Sequence, residues 1–177
     1  SPYSRLGLHK LARAGAELDL IAFTGPPEGT PFADPTANPY KAAYYAQDVV
    51  RMSARMGLPV ALPDPFDVDF RAANRAFVAA DRAGLAMPFA LAVSDARWGE
   101  GRDISDVSVL QDCAAAAGWS GYDPDTLAAD LSISETFKAQ RAWIEQDGVF
   151  GVPFLVDDAE KFWGQDRFDL WLENRGG

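Results

Sequence analysis

The chain has 177 residues, of which 48% are hydrophobic, so it is long and apolar enough to bury one compact core. Acidic residues outnumber Lys and Arg by 26 to 16, and the formal net charge of -10 argues against a nucleic acid or an anionic membrane as partner. Cys113 is the only cysteine, which excludes an internal disulfide, and no apolar run is long enough to cross a membrane. Because no signal peptide precedes Ser1, we expect a reducing, cytoplasmic location.

The first predicted element is an amphipathic helix that begins after Ser1 and ends at Gly15, with Leu6 and Leu11 on its apolar face. Serine at the N-cap followed by Pro2 is a strong helix start, since the hydroxyl oxygen accepts a free N–H and proline has none to leave unpaired. Ser1 therefore lies at the positive end of the helix dipole, where an anion such as a thiolate is stabilised. A serine that only caps the helix is the alternative.

The middle of the chain is predicted to be mainly helical. Residues 17–23 alternate in a way that favours a strand, and residues 25–39, rich in Gly and Pro, favour a long loop that passes over the site. The helices predicted beyond this loop are Tyr40–Met56, Asp69–Ala83, Pro88–Trp98, Asp106–Ala117 capped by Ser105, Asp123–Asp130, and Ser134–Asp147. Gly148 ends the last of them, and a helix over residues 166–174 closes the chain.

The segment from Val149 to Arg167 is predicted to be a β-hairpin that grips a ligand. Pro153 heads an apolar strand, and because proline has no N–H it is confined to strand starts, edges and bulges. Backbone groups next to Pro153 then face something other than a neighbouring strand, and a bound peptide would supply their hydrogen-bond partner. A cis bond between Val152 and Pro153 would present the Val152 N–H and C=O to such a peptide. An edge-strand proline without a ligand is the alternative. Pattern alone indicates an α/β domain with an excess of helix.

Several short motifs follow one another along the chain in an order that is more specific than any one of them. They are Ser1-Pro2-Tyr3-Ser4, Asn38, Lys41, Tyr44, Asp48, Gly101-Arg102-Asp103-Ile104-Ser105, Phe150-Gly151-Val152-Pro153 and Trp163-Gly164-Gln165-Asp166-Arg167. Together they resemble the DsbA-like branch of the thioredoxin superfamily that contains 2-hydroxychromene-2-carboxylate isomerases and kappa-class glutathione transferases. Redox members of the superfamily carry two cysteines where this chain has Ser1 and Ser4, so dithiol exchange is excluded here.

The resemblance implies a thioredoxin-like (DsbA-like) α/β fold with a large all-helical insertion. Residues 1–24 and 148–177 would form the thioredoxin-like domain, residues 40–147 the helical insertion, and residues 25–39 the connecting loop. Because such a sheet begins with a strand before the first helix, we expect about five to eight residues of that strand to be missing from the chain. An N-terminal-nucleophile hydrolase is the rival interpretation of a leading serine, but its strand-rich pattern does not match this mainly helical sequence.

The resemblance also implies a site for glutathione, the expected cofactor. Ser1 would donate a hydrogen bond to the glutathione sulfur and favour its thiolate form. The backbone of Val152 would pair with the cysteinyl segment, while Gln165 and Asp166 would hold the γ-glutamyl carboxylate and ammonium. The implied glutathione-binding residues are Asn38, Lys41, Val152, Pro153, Gln165 and Asp166, with a solvated lysine as the alternative for Lys41.

The function implied by the resemblance is a glutathione-dependent isomerisation of the 2-hydroxychromene-2-carboxylate type, performed on a small aromatic substrate by a homodimer. A kappa-like glutathione transferase and a non-catalytic DsbA-like protein that binds thiols or peptides are the alternatives. The expected substrate pocket consists of Tyr3, Phe66, Arg75, Trp98 and Trp163. Arg75, or Arg71 one turn earlier, would bind a substrate carboxylate, whereas Asp69 stands where such isomerases often carry Asn and would weaken that binding.

Two other kinds of chemistry are not expected. The sequence has no Cys/His cluster with the spacing of metal ligands, so no metal site is predicted. The only histidine, His9, lies two turns beyond Ser1 on the first helix, too far along the axis to act as its base. A Ser-His-Asp hydrolase is therefore discarded.

Overall fold

The computed structural model describes residues 1–31 and 37–175, which form a helix-rich fold with one small sheet. The helices in these ranges are α1 (Pro2–Arg13), α2 (Pro39–Arg55), α3 (Arg71–Arg82), α4 (Ala86–Trp98), α5 (Val107–Ala116), α6 (Pro124–Ala129), α7 (Leu131–Asp147) and α8 (Arg167–Arg175). The strands are β1 (Phe154–Asp157) and β2 (Glu160–Trp163). None of the described helices has the length and apolar character needed to span a bilayer.

Helix α1 is fixed at both ends by its local sequence. The Ser1 Oγ accepts a hydrogen bond from the Ser4 N–H at 3.4 Å, and Pro2 occupies the first turn, which confirms the predicted start. The helix ends at Arg13, and Gly15 follows with a φ of 64°, a conformation that favours glycine. The free N–H groups of the first turn therefore have a fixed position and direction.

Arg5 attaches α1 to the helical layer. Its side chain is 2% exposed, its Nε donates to the Asp95 carboxylate on α4 at 2.6 Å, and its Nη1 donates to the Pro59 carbonyl at 2.6 Å. The His9 Nε2 lies 2.8 Å from the same carboxylate oxygen of Asp95. The buried guanidinium is thus compensated by good acceptors, and the histidine belongs to this helix contact.

Aspartate caps two helices for which the sequence predicts serine. Helix α5 is capped by Asp106, because the N–H and hydroxyl of Ser105 are both used in hydrogen bonds to Asp103. Helix α7 begins one turn before Ser134, because the Asp130 carboxylate accepts a backbone N–H from two residues further on at 2.8 Å. In both places the hydrogen bond that caps the helix is accepted by an aspartate carboxylate rather than by the serine hydroxyl predicted from the sequence.

Residues 17–23 have no regular secondary structure, so the predicted strand is wrong for the described part of the chain. A strand needs a hydrogen-bonded neighbour, and the sheet among the described residues contains β1 and β2 alone. Leu18 instead packs its side chain against a hydrophobic cluster built around α1 and the hairpin.

The hairpin is antiparallel, with Leu155 on β1 opposite Phe162 on β2. Because successive residues face opposite sides of a strand, this pair is buried together, whereas Trp163 points outward and is 58% exposed. The Gly164 N–H donates to the Pro153 carbonyl at 2.9 Å, which continues the pairing beyond the strands. The predicted hairpin is therefore present.

Two hydrophobic clusters flank an open cleft. One joins α3, α4 and α5 and includes the fully buried Phe89 and Leu110. The other joins α1, the hairpin and α8 and includes Leu11, Phe162 and Trp171. Residues of both clusters line the cleft. The division into a thioredoxin-like domain and a helical insertion stays a prediction.

Gly7 allows α1 to approach the hairpin and α8 closely, so we expect Gly7→Ala to destabilise the fold. A Cβ at this position would lie 2.7 Å from Phe168 Cε2 and 3.5 Å from Pro153 Cβ, and the Phe168 ring is buried. The free energy of unfolding should fall by about 1–3 kcal/mol, because this overpacking outweighs the better helix propensity of alanine. Chemical denaturation measures the change.

The double variant supplies the control for this prediction. If contact with the ring is the cause, Gly7→Ala combined with Phe168→Leu loses less stability than the sum of the two single changes. Simple additivity of the two losses would contradict the explanation.

Candidate active site

The N-terminus of α1 lies at the open cleft between the helical layer and the hairpin. Of the residues predicted for the site, those lining the cleft are Ser1, Tyr3, Phe66, Trp98, Val152, Pro153, Trp163, Gln165 and Asp166. Asn38, Lys41 and Arg75 are not among the residues that line it. The structure thus brings the two ends of the chain together, as the motifs suggested, and leaves three predicted residues elsewhere.

Ser1 presents a hydroxyl to the cleft at the positive end of α1. Because its Oγ accepts the Ser4 N–H, its own hydrogen is available to a guest. Ser1 is exposed and lines the cleft. An anion here would meet the N–H groups of the first turn.

The loop before β1 offers unused backbone groups beside α1. The bond between Val152 and Pro153 is cis, and neither the N–H nor the C=O of Val152 has a hydrogen-bond partner among the described residues. Pro153 is buried next to α1, since a Cβ on Gly7 would lie 3.5 Å from its Cβ. An extended peptide segment can pair with such free groups as an added strand does.

Gln165 combines a fixed backbone with an unsatisfied side chain. Its carbonyl accepts a hydrogen bond from Lys10 Nζ at 3.0 Å, and the same ammonium lies 2.6 Å from the Asp169 carboxylate. The Gln165 side chain is buried, and its Oε1 has no hydrogen-bond partner in the part of the chain that the structure describes. A buried acceptor without a donor is unusual and marks a place where a ligand can supply one.

Asp166 lies next to Gln165 and adds a negative charge at the cleft. Its carboxylate is exposed and lies 3.5 Å from Arg167 Nη1, so it is only weakly engaged. An ammonium group bound near Gln165 would therefore meet both an oxygen acceptor and a carboxylate.

Asn38 and Lys41 lie together at the start of α2. The Asn38 Oδ1 accepts the N–H groups of Tyr40 at 3.0 Å and Lys41 at 3.3 Å, so this side chain caps the helix. Lys41 is exposed. Their place in a glutathione site stays a prediction, and residues 32–36 of the adjoining predicted loop lie outside the described residues.

The predicted aromatic residues all face the cleft, in two groups. Phe66 and Trp98 meet edge to face with ring centroids 6.1 Å apart on the helical side, and Trp163 meets Phe150 at 4.9 Å on the hairpin side. Tyr3 donates its hydroxyl hydrogen to Asp48 at 2.8 Å. Burial is the larger cause that raises the pKa of Tyr3, and this hydrogen bond is the next. Tyr3 therefore keeps its proton at neutral pH.

Arg75 and Arg71, the predicted partners of a substrate carboxylate, have other roles. The Arg75 guanidinium donates to the carbonyl groups of Leu127 at 2.6 Å and Asp130 at 2.8 Å, and so holds the C-terminal end of α6. Arg71 is exposed and paired with Asp69 at 2.6 Å. Arg75 thus does not line the cleft. Its guanidinium instead holds the end of a helix, where carbonyl groups need donors.

Arg97 is a cleft residue that the sequence did not indicate. It lies in the last turn of α4, where a cation is expected simply to complement the helix dipole. In the structure it is buried and lines the cleft with its neighbour Trp98. The adjacent Arg and Trp near the end of an alanine-rich helix were the only available signal.

Metal and thiol chemistry find no support in the described residues. No group of His, Cys, Asp or Glu side chains in the described ranges has an arrangement that would hold a metal ion. Cys113 is buried in the helical layer, and this burial raises the pKa of its thiol to about 11. Cys113 is also absent from the residues that line the cleft.

A capped helix N-terminus beside a buried proline loop, covered by a helical layer, defines a thioredoxin-like domain. Residues 1–174 match the family model of the DSBA-like thioredoxin domain, and the chain therefore belongs to that family. The predicted fold class is confirmed.

Two known proteins similar to this chain share one name. A 2-hydroxychromene-2-carboxylate isomerase from Sphingobium xenophagum is 30% identical over 126 residues, which are 70% of this chain and 62% of that protein. The match thus spans less than two thirds of that relative's length. A solved structure of a 2-hydroxychromene-2-carboxylate isomerase superposes with a TM-score of 0.82 at 22% identity, covering 99% of this chain and 90% of that one.

The buried Cys113 makes a direct test of the thiol argument possible. With a pKa raised to about 11, little of its thiol is ionised near neutral pH, and burial blocks access. We expect the folded protein to react with a disulfide reagent at least about 100-fold more slowly than the protein unfolded in urea, since the thiolate is the reactive form. Absorbance of the released thiol follows both rates. Rapid labelling of the folded protein would show that Cys113 is accessible to the cleft chemistry.

Proposed function

We propose that this protein is a glutathione-dependent isomerase of the 2-hydroxychromene-2-carboxylate type, acting on a small aromatic substrate. The observation that carries the proposal is the meeting of three unused sets of groups at one cleft. These are the N–H groups and hydroxyl at Ser1, the backbone of Val152, and the side chain of Gln165. The similarity to a named isomerase supports the reaction type.

The free groups fit glutathione as an extended tripeptide. The N–H and C=O of Val152 would pair with its cysteinyl segment and direct the sulfur toward α1. The unsatisfied Oε1 of Gln165 would accept from the γ-glutamyl ammonium, and the exposed carboxylate of Asp166 would add an opposite charge. This places both side chains on the ammonium, whereas the sequence led us to expect Gln165 at the carboxylate.

Ser1 would hold the sulfur as a thiolate. A free thiol has a pKa of about 8.5, so only a few per cent of it is ionised at neutral pH. The outward hydrogen of the Ser1 hydroxyl and the dipole of α1 both favour the anion. Bound glutathione supplies a nucleophile that adds reversibly to a conjugated carbonyl system and so permits rotation about a former double bond.

Asp69 does not oppose an anionic substrate as strongly as its position in the sequence suggested. Hydrogen bonds from the Arg71 side chain, and then from its backbone N–H, lower the pKa of Asp69 to about 2, so it is ionised and paired. The pair is neutral as a unit at the rim of the cleft. Isomerase chemistry therefore remains the preferred function.

Turnover with a catalytic amount of glutathione tests the proposal most directly. The protein would be mixed with a hydroxychromene carboxylate, and the absorbance of the substrate and the amount of free glutathione would be followed together. Conversion with glutathione conserved supports isomerisation. Stoichiometric loss of glutathione would indicate a transferase, and absence of binding at millimolar glutathione would indicate a non-catalytic binding protein.

Replacement of Ser1 should change the acidity of the bound thiol. In Ser1→Ala the hydrogen-bond donor is lost, so we expect the pKa of bound glutathione to rise by about one unit toward that of the free thiol. Ser1→Asp retains a good helix cap but places a carboxylate beside the sulfur, and it should raise the thiol pKa further. Ultraviolet absorbance of the thiolate, recorded against pH, measures both. Ser108→Ala, an exposed position on α5, is the control, and equal thiol pKa values in all four proteins would refute the role of Ser1.

Replacement of Gln165 should separate binding from stability. Gln165→Leu removes the acceptor for the ammonium, so we expect glutathione affinity to fall about tenfold, a change of about 1.4 kcal/mol. The thermal stability of the free protein should stay equal or increase, because a buried unsatisfied oxygen is removed. Calorimetry and thermal melting give the two quantities.

Gln140 on α7 provides a matched control for this change. It is also buried with an unsatisfied Oε1, but it does not line the cleft. Gln140→Leu should therefore affect stability in the same direction and leave glutathione binding unchanged. Equal loss of binding in both variants would show that the effect of Gln165 is indirect.

A further inference from the structure

Arg97 on α4 is a buried cation that the described residues leave largely unsatisfied. Its side chain is 3% exposed, and its Nη2 donates to the Phe66 carbonyl at 2.5 Å. Its Nε and Nη1 have no hydrogen-bond partner among residues 1–31 and 37–175. A guanidinium has five N–H donors, so most of them are unused, and a buried charge in this state is strongly unfavourable unless something else compensates it.

The nearby carboxylates do not supply that compensation. Asp67 and Asp103 lie close enough for their charges to act on Arg97, but among the described residues neither forms an ion pair with it. Asp103 instead accepts the N–H of Ser105 at 2.8 Å and its hydroxyl at 2.6 Å. Burial lowers the pKa of Arg97 in spite of both acids.

The other enclosed arginines of the protein are satisfied, which makes Arg97 distinctive. Arg5 has the Asp95 carboxylate and the Pro59 carbonyl, and Arg75 has carbonyl groups at the end of α6. Arg97 alone of these three lines the cleft. Its missing acceptor is therefore expected from a molecule that enters the cleft.

The surroundings of Arg97 describe that molecule. The guanidinium carbon lies 5.3 Å from the centre of the Phe70 ring and 5.1 Å from that of Trp98. Phe66 is 50% exposed and Phe70 is 45% exposed, and both line the cleft. Flat apolar walls favour an aromatic ring, and a planar guanidinium with two free nitrogens favours a carboxylate.

We propose that Arg97 binds the carboxylate of a flat aromatic substrate whose ring lies against Phe66 and Trp98. The inference rests on the proposed function for the identity of the reaction, and it adds the residue that selects anionic substrates. Arg97 lies on the helical wall of the cleft, while Val152 and Gln165 lie on the hairpin wall. Ser1 lies at the same cleft, so a substrate held by Arg97 would face the bound sulfur.

Two probes of equal shape test this binding site. Cinnamate carries a carboxylate and cinnamamide a neutral amide, and NMR titration gives the dissociation constant of each. We expect the unaltered protein to prefer cinnamate by at least about tenfold, because a charge-assisted hydrogen bond is lost with the amide. Arg97→Met should reduce the preference to less than about twofold, and Arg97→Lys should retain part of it, since lysine keeps the charge without the fork of donors. Arg71→Met, at the exposed rim, should keep the full preference.

Several outcomes would overturn the assignment. They are an unaltered protein that binds both probes equally, a preference that survives Arg97→Met, and an unchanged preference in Arg97→Lys. Circular dichroism would reveal whether Arg97→Met folds. If it does not, the results for the unaltered protein and for Arg97→Lys still decide the matter, because they do not depend on that variant.

Glutathione binding, measured on the same samples, separates this inference from the proposed function. Loss of glutathione affinity in folded Arg97→Met would mean that Arg97 holds a carboxylate of the tripeptide, which contradicts the substrate assignment. If the unaltered protein prefers cinnamate but does not bind glutathione, the proposed function fails and the Arg97 site stands.

Discussion

The placement of α1 between the hairpin and the helical layer is the constraint on which the site depends. On one side, the buried Arg5 guanidinium ties the helix to Asp95 and Pro59 at 2.6 Å each. On the other, the absence of a side chain at Gly7 lets the helix approach Phe168 and Pro153. Because both sides are fixed, the N–H groups of the first turn stay in register with the free backbone of the Val152 loop. A helix that shifted by one residue would lose both contacts and the site with them.

Among the described residues, buried polar atoms without partners occur both at the cleft and away from it. Such atoms destabilise a protein by about 1–3 kcal/mol each, so their retention calls for an explanation. Two of the residues that carry them, Arg97 and Gln165, line the cleft, one with free donors and the other with a free acceptor. Gln140 carries one outside the cleft, and nothing in the structure explains it. The cleft therefore presents free donors at Arg97 and a free acceptor at Gln165, and we have proposed that two different molecules satisfy them.

The overall charge makes these local groups more important. With a formal net charge of -10, the protein does not attract anions over long distances. Under the two proposals, a thiolate or a carboxylate would instead be stabilised at short range, by the N-terminal N–H groups of α1 and by the guanidinium of Arg97. Both lie in a partly enclosed cleft, where such interactions are less screened by water and salt than on the surface.

The sequence by itself determined those features that depend on residues a few positions apart. Ser1 and Pro2 start α1, and Gly148 ends α7 in the left-handed conformation, because capping involves only the adjoining turn. The fold is not a local feature, and the order of the motifs predicted it because that order resembles a known family.

Only the tertiary structure decided whether Arg75 or Arg97 lines the cleft, and which strand-like segment becomes a strand. Arg75 and Arg97 are both arginines on helices of the same layer, and the sequence gives no reason to prefer Arg97. Packing sends one guanidinium to the carbonyls at the end of α6. It encloses the other at the cleft, where among the described residues only the Phe66 carbonyl accepts a hydrogen bond from it. Residues 17–23 have a strand-like pattern but no hydrogen-bonded neighbour in the described sheet. Both results depend on partners distant in sequence, which local pattern does not specify.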